Sequence, residues 1–435
     1  MCTNSLLRLW PVLIAYLTLL MIWWGQNGRS IEQDLSESYE MPKMALPIEI
    51  WERIFLYVDP ITLTKLKVVC NSWREIIDKI LKEQNFWYKK CKEEISQNIW
   101  SLLFETLYPN RSYVDLKNAR REGEIWINMY KWWTKIKKLT NYDIFVESLD
   151  PLPNYHFQEI ITCTAVLENT LAIGTSKGYI YFYDIDALND KPRYIANHME
   201  FLCKIKFLKN SRKIILVSSC INSHIKFWDL ESKELIKKDH GKLLSTSQSY
   251  CYSVIKNTLI VQGCIPRTLY ELPVDDIVAG VADGNKVSFY TKKGHFLNVQ
   301  LAEGEEVFIT EFVKPPKLYI RDYYMFTNIA VCITEQGYLG FSIHGGKWKF
   351  HNILPIFHGT PTAVLVYAQL LILGLNSGHV CIYCVENWNM LDLNSTLARL
   401  IILDTEPIIS LNISAHFKEC IIATSIKRVH FIHFT

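Results

Sequence analysis

Hydrophobic and polar positions follow two different periods along this chain, and the change falls near Tyr142. From Leu46 to Leu139 apolar residues recur at three- and four-residue intervals, which marks amphipathic helices. Trp51, Ile54, Phe55 and Val58 share one helical face, while Glu49, Glu52 and Arg53 lie off it. Pro47 suits a first helical turn, where its missing N–H would be an orphan donor, and Asp59-Pro60 ends that helix. A second face starts at Leu63, Leu66 and Cys70. After Asn71, an expected N-cap, Trp73, Ile76, Ile77 and Ile80 repeat the spacing. Three short helices between Leu46 and Cys91 therefore form a small bundle. Further on, Ile125, Met129, Trp132, Ile136 and Leu139 make another stripe, with Lys131, Lys135 and Lys137 elsewhere on the wheel. Trp100, Trp126 and Trp133 add large apolar area that needs burial.

Beyond Tyr142 the period drops to two and a hairpin repeats. It is clearest at Thr170 to Asp184 and at Lys213 to Leu230, and further copies run through 259–274, 287–301, 329–341, 370–383 and 420–434. The turns fall near Gly178, Ser223, Arg267, Gly294, Gly337, Gly378 and Lys427, at intervals of 45, 44, 27, 43, 41 and 49 residues. Five of these six intervals fit a propeller blade of about 40 to 50 residues. The interval of 27 implies a trimmed third blade or a miscounted hairpin, so seven blades are expected, alternatively six. The last copy has only three strands, Ile408 to Ile413, Cys420 to Ser425 and Val429 to Phe434, whereas Ile144 to Leu149 stands spare before the first. A ring must hide its edges, so Ile144 to Leu149 is expected to pair antiparallel beside Val429 to Phe434.

With 435 residues, 49% hydrophobic and 21% charged, the chain has material for two or three domains. A net charge of +3 gives no basic stripe for nucleic acid, so none is expected as a partner. Twelve cysteines without paired spacing fit reduced thiols in a cytoplasmic or nuclear protein. Cys381 and Cys384, like His430 and His433, stand at odd offsets in strands, which sends each pair to opposite faces and argues against a metal. Hydrolase and phosphate-binding motifs are missing from the sequence, so neither catalysis nor a cofactor is expected. Leu9 to Trp24 is an apolar run of 16 residues, short for a bilayer span of about 20. It leaves open a membrane anchor that would keep the rest of the chain in the cytosol.

Leu46-Pro47, Glu49, Ile54-Phe55, Asp59-Pro60, Leu63 with Leu66, Val69-Cys70-Asn71-Ser72-Trp73-Arg74 and Phe86-Trp87 together resemble the F-box family. The resemblance implies docking on a Skp-type adaptor and, through it, a cullin of a ubiquitin ligase. Leu46, Pro47, Ile54, Leu63, Val69 and Trp73 would be the adaptor-binding residues, because so small a bundle cannot hide all its apolar side chains. Trp228-Asp229, with Tyr183-Asp184 as an approximation, resembles the WD-repeat propellers, although the Gly-His that opens most repeats is missing. Loss of that hydrogen-bonded brace suggests blades held mainly by apolar packing. The expected architecture is multi-domain, with a small all-α F-box and helical linker followed by an all-β WD-like propeller. The expected divisions are 1–43 apolar segment and flexible linker, 44–91 F-box, 92–140 helical linker and 141–435 propeller. This layout is similar to that of F-box/WD-repeat substrate receptors, in which the propeller holds a target protein. A scaffold role outside ubiquitin transfer is the alternative. Family propellers often hold phosphorylated targets through arginines, and here Arg193, Arg212, Arg267, Arg321, Arg399 and Arg428 are spread over the whole domain.

Overall fold

The computed structural model describes residues 47–435 apart from 84, 110, 112, 120–121, 153–157, 189–190, 211–212, 248–249, 264–268, 275, 284–285, 303–304, 313–317, 328, 344–345, 358, 395–397 and 417–418. The apolar run Leu9 to Trp24, the linker before residue 44 and Leu46 lie outside the described residues. Among the described residues no helix is long and apolar enough to cross a membrane. The chain divides into two compact units, Met1–Leu81 and Lys82–Thr435.

In the first unit the expected helices are α1 (Ile48–Leu56), α2 (Pro60–Leu66) and α3 (Asn71–Leu81). Asp59 caps α2, its Oδ1 accepting from the N–H groups of Ile61 at 3.1 Å and Thr62 at 3.0 Å. The cap of α3 differs from expectation: Asn71 is already helical, and the Cys70 sulfur before it accepts from the Trp73 N–H at 3.5 Å. Phe55, Leu63, Trp73 and Ile77 are buried. The rings of Trp51 and Phe55 lie 4.9 and 5.2 Å from that of Trp73, so aromatic packing joins α1 to α3.

The second unit opens with α4 (Phe86–Glu94), α5 (Trp100–Leu107), α6 (Tyr113–Asn118) and α7 (Gly123–Lys137). The whole expected stripe Ile125, Met129, Trp132, Ile136 and Leu139 is buried, and so are Trp100, Trp126 and Trp133. The boundary between the two compact units falls at Leu81/Lys82. Phe86, Trp87 and Cys91 are core residues of this second unit; Trp87 packs edge-on against Tyr130, and the Cys91 thiol donates to the Trp126 carbonyl.

After α7 the described strands make seven four-stranded antiparallel sheets, which excludes six blades. The blades are β2–β5 (161–197), β6–β9 (202–240), β10–β13 (242–273), β14–β17 (277–312), β18–β21 (320–352) and β22–β25 (361–402), with β26–β28 (408–434) completed by β1 (Ile144–Leu149). In the first blade the second and third strands, β3 (Thr170–Thr175) and β4 (Tyr179–Asp184), are buried almost along their length, whereas the outer strand β9 (Glu234–His240) of the second blade is largely exposed. That contrast explains why the inner hairpins dominate the sequence pattern. The inner turns share a device that spacing alone did not reveal. Thr175, Thr291 and Thr334 each accept, through Oγ1, the N–H four residues ahead, at 3.2, 3.0 and 2.9 Å, while the glycine at the third position turns the chain at positive φ.

The ring closes as expected: β1 pairs antiparallel with β28 (Val429–Phe434), from Ile144 opposite Phe434 to Leu149 opposite Val429. Leu149, Val429 and Phe431 then share a core with Ile161, Leu171 and Tyr181 of the first blade. Phe431→Ala should destabilise the propeller by about 3–5 kcal/mol through loss of buried area and an unfilled cavity. Phe145→Ala, on the exposed side of β1, should stay within about 0.5 kcal/mol. Chemical denaturation of the full chain distinguishes the two.

Candidate functional site

Two surfaces can hold a partner, one in each unit, and they differ in kind. In the first unit the apolar residues that the core cannot take in are Ile48, Ile50, Leu56, Tyr57, Val68 and Val69, the most exposed being Tyr57 at 78% and Val68 at 61%. Pro47 is exposed with them and Ile54 is half-buried. Leu63 and Trp73 are in the core at 1% and 6%, contrary to the expectation that they face a partner. Ile77 and Phe55 fill the bundle with them, so the helix faces through Leu63 and Trp73 are spent on cohesion. Ile48, Ile50, Leu56, Tyr57 and Val68 were not singled out from sequence. They lie off the helical stripe, and an apolar residue there is the signal that could have found them.

In the second unit the seven inner strands enclose a channel of about 1300 Å³. At the end where these strands finish, near Leu167, Phe207 and Thr246, α5 contributes Leu102, Glu105 and Thr106 to the lining. The linker is fastened there: the Trp132 indole donates to the Tyr367 hydroxyl at 2.9 Å, and the Lys135 ammonium to Glu419 at 2.5 Å. The opposite mouth is rimmed by Ile221, Ser223, Lys292, Tyr319 and Glu335. Apolar side chains stand out at this end, with Met199 79%, Ile221 66% and Tyr319 75% exposed. The channel lining carries Lys204, Lys206, Lys242, Lys292 and Arg321 against Glu105, Asp322 and Glu335, a small basic excess, with Arg321 paired to Asp322 at 2.7 Å. Burial, with Lys206 and Lys242 adding repulsion, pulls the Lys204 ammonium down to about 7, and it donates to the Leu244 carbonyl at 2.5 Å.

The four described propeller arginines are not gathered. Arg321 lines the channel, Arg193 pairs with Asp184, Arg399 donates to the carbonyls of Thr140 and Tyr142, and Arg428 bonds Asp150 at 2.7 Å. Arg212 and Arg267 lie outside the described residues. Cys381 is buried inside the blade core and Cys384 faces the linker, its sulfur 3.9 Å from the Ile136 carbonyl, which fits the odd offset. His430 bonds Ser148 at 2.9 Å, while His433 stacks on Phe145.

A hydrogen-bonded brace does survive in the second blade. The Ser218 hydroxyl stands 2.8 Å from both the His198 Nδ1 and the Trp228 Nε1, all within the buried interior. The sequence carries Asn197-His198 where Gly-His was sought, so the histidine was there to be found. Asp229 anchors the end of the same strand, accepting from Lys213 at 2.8 Å and from the Glu231 N–H at 2.9 Å.

Comparison with known families matches the F-box domain over residues 44–84, which spans the three-helix bundle. The chain carries an F-box. A seven-bladed propeller follows it, and its structural neighbours are WD40 propellers. The WD40 repeats of RRP9 superpose with a TM-score of 0.50 at 14% identity, over 67% of this chain and 98% of that one. The structure of U3-55K gives 0.48 at 13% identity, over 67% and 98% of the two chains. The propeller domain of Cps50 (Swd1) from Myceliophteria thermophila gives 0.48 at 12%, over 63% and 96%. At such identities the likeness shows the fold alone. No curated protein sequence matches significantly.

The brace has a pH signature. Burial pushes the His198 imidazole down from 6.5 to about 4, the Lys226 ammonium adding to the shift, and burial lowers His430 in the same direction. A histidine kept neutral by the fold is protonated first in the unfolded chain, so stability falls as pH drops from 6.5 towards about 4. Thermal melts across that range should show this limb, and His198→Gln should flatten it. Ser218→Ala, which leaves the His198 and Trp228 nitrogens unpaired, should cost about 1–3 kcal/mol at neutral pH.

Proposed function

We propose that this chain is a substrate receptor of a cullin-type ubiquitin ligase. Its F-box binds a Skp-type adaptor, and its propeller presents a target protein. The carrying observation is the F-box match at residues 44–84 on a unit that leaves Pro47, Ile48, Ile50, Leu56, Val68 and Val69 out of its core. Pro47 and Val69 are the direct contacts retained from the sequence-based set, together with Ile54 and Leu46. Leu63 and Trp73 act by holding the helices in place.

The target belongs at the mouth opposite α5, since the protein's own linker helix already lies on the other end of the channel. A wall with a small basic excess beneath an apolar rim of Met199, Ile221 and Tyr319 suits an extended segment that combines acidic and apolar residues. The chain makes and breaks no bonds in this scheme. It raises the effective concentration of target at the ligase, and ubiquitin transfer gains from proximity.

Leu46→Ala combined with Pro47→Ala should abolish capture of the adaptor and cullin by the full-length protein. Val69→Asp alone should weaken adaptor binding by about 2 kcal/mol or more, roughly thirtyfold. Hydrogen–deuterium exchange of peptides from α3 (Asn71–Leu81) reports whether the bundle remains folded. Undiminished capture by the folded double variant would refute the receptor role.

A further inference from the structure

On the second blade Glu200, Cys220 and His224 bring three metal-ligating atoms within 4.8 Å of one another. The Cys220 thiol donates to Glu200 Oε2 at 3.0 Å, the Asn222 amide donates to the same oxygen at 2.9 Å, and the His224 Nδ1 lies 2.7 Å from Oε1. Cys220 is buried at the end of β7 (Lys213–Cys220), while His224 opens β8 (His224–Asp229) and is half exposed. The backbone sets all three in place. The Asn197 side chain accepts the Met199 N–H at 2.7 Å, and the Gly178 turn of the neighbouring blade packs so closely that a Cβ there would come 2.6 Å from the Glu200 nitrogen. Across the turn the Ile221 N–H bonds the Phe201 carbonyl at 3.0 Å, which ties the Glu200 loop to the Cys220 end.

We propose that Glu200, Cys220 and His224 form a zinc site at the target-facing end of the propeller, with water in the fourth position. The donor set decides the metal: thiolate with imidazole selects zinc over magnesium and calcium, and carboxylate completes a tetrahedral set of three protein ligands. Zinc ligand distances of about 2.0–2.3 Å place ligand atoms roughly 3.3–3.6 Å apart, and since Cys220 and His224 contact opposite oxygens of Glu200, the carboxylate would turn to bring one oxygen onto the ion. On binding, Zn²⁺ takes the Cys220 sulfur as thiolate and one proton leaves to solvent. His224 Nδ1 becomes a ligand with its hydrogen lost or moved to Nε2, and Glu200 exchanges its Cys220 and His224 contacts for the metal while Asn222 keeps its hydrogen bond to the carboxylate. Burial and the Glu200 hydrogen bond raise the Cys220 thiol, so the metal-free site holds that proton, and three hydrogen bonds, that of Cys220 first, hold Glu200 down at about 2. The ion would clip the loop bearing Met199 and Phe201 to the turn bearing Ile221. This site stands on its own geometry, whatever the propeller binds.

The full-length protein, stripped with chelator and titrated with Co²⁺ and then Zn²⁺, tests it. One equivalent of Co²⁺ per chain should give a thiolate-to-metal charge-transfer band that Zn²⁺ abolishes. Cys220→Ser and His224→Ala should each lose the band, and Asn222→Ala, which frees the carboxylate, should weaken binding by about 10- to 100-fold. Cys203→Ser, an exposed thiol outside the cluster, should leave the band intact. Thermal melts of each metal-free variant that match the metal-free wild type establish that folding is unchanged. No stoichiometric band in the wild type, or a band that persists in folded Cys220→Ser, overturns the proposal.

Discussion

The constraint on which the second unit depends is closure of the ring. A set of twisted sheets arranged around a channel exposes two raw edges unless the last blade is completed from the other end of the domain. Here β1 supplies that strand, and its neighbours make the seam costly to open. The Thr435 N–H bonds the Asp143 carbonyl at 3.1 Å, the Ile161 N–H bonds the Ile426 carbonyl at 2.8 Å, and Leu149 is buried with Phe431 between the joined blades. Few residues separate β1 from α7, so the strand that seals the ring also fixes where the linker helices leave it. The tryptophan-rich helices follow from this position. Packed against the finishing ends of the inner strands, they need large apolar faces on more than one side, and Trp126, Trp132 and Trp133 supply them.

The two units solve the problem of surplus apolar surface in opposite ways. The propeller buries its apolar side chains in separate clusters shared by neighbouring blades, and the linker adds its own buried stripe. The F-box is a short bundle whose aromatic cluster of Trp51, Phe55 and Trp73 takes up the interior. Its remaining aliphatic residues stand at the surface, because so short a bundle cannot enclose them.

Much of this was legible in the chain because burial on both sides of a strand, or along one stripe of a helix, writes a strong period into the sequence. Six of the seven inner hairpins, the linker stripe and the closing strand carry such a period. Outer strands such as β9 are exposed and polar, so they left little trace. The interval of 27 reflects a miscounted hairpin: Arg267 falls between β12 (Thr258–Gly263) and β13 (Leu269–Pro273), the third and fourth strands of its blade, whereas the other six turns stand between second and third strands. The exposed apolar residues of the F-box were only half visible, since Leu63 and Trp73 are prominent by type but serve the core, while Ile48 and Val68 are ordinary by type and exposed by position. Glu200, Cys220 and His224 were not legible as a group. Cys220 and His224 meet across one turn, but Glu200 arrives from the preceding loop, and only the fold of the blade brings it to them.

The central claim is that the exposed apolar face of the F-box is an adaptor-binding surface. Hydrogen–deuterium exchange of the full-length chain with and without purified Skp-type adaptor addresses it most directly. The account predicts slower exchange in peptides from residues 47 to 69, with the blade peptides around Met199, Ile221 and Tyr319 unchanged. Unchanged exchange over 47–69 at saturating adaptor, or protection confined to the propeller, would contradict it.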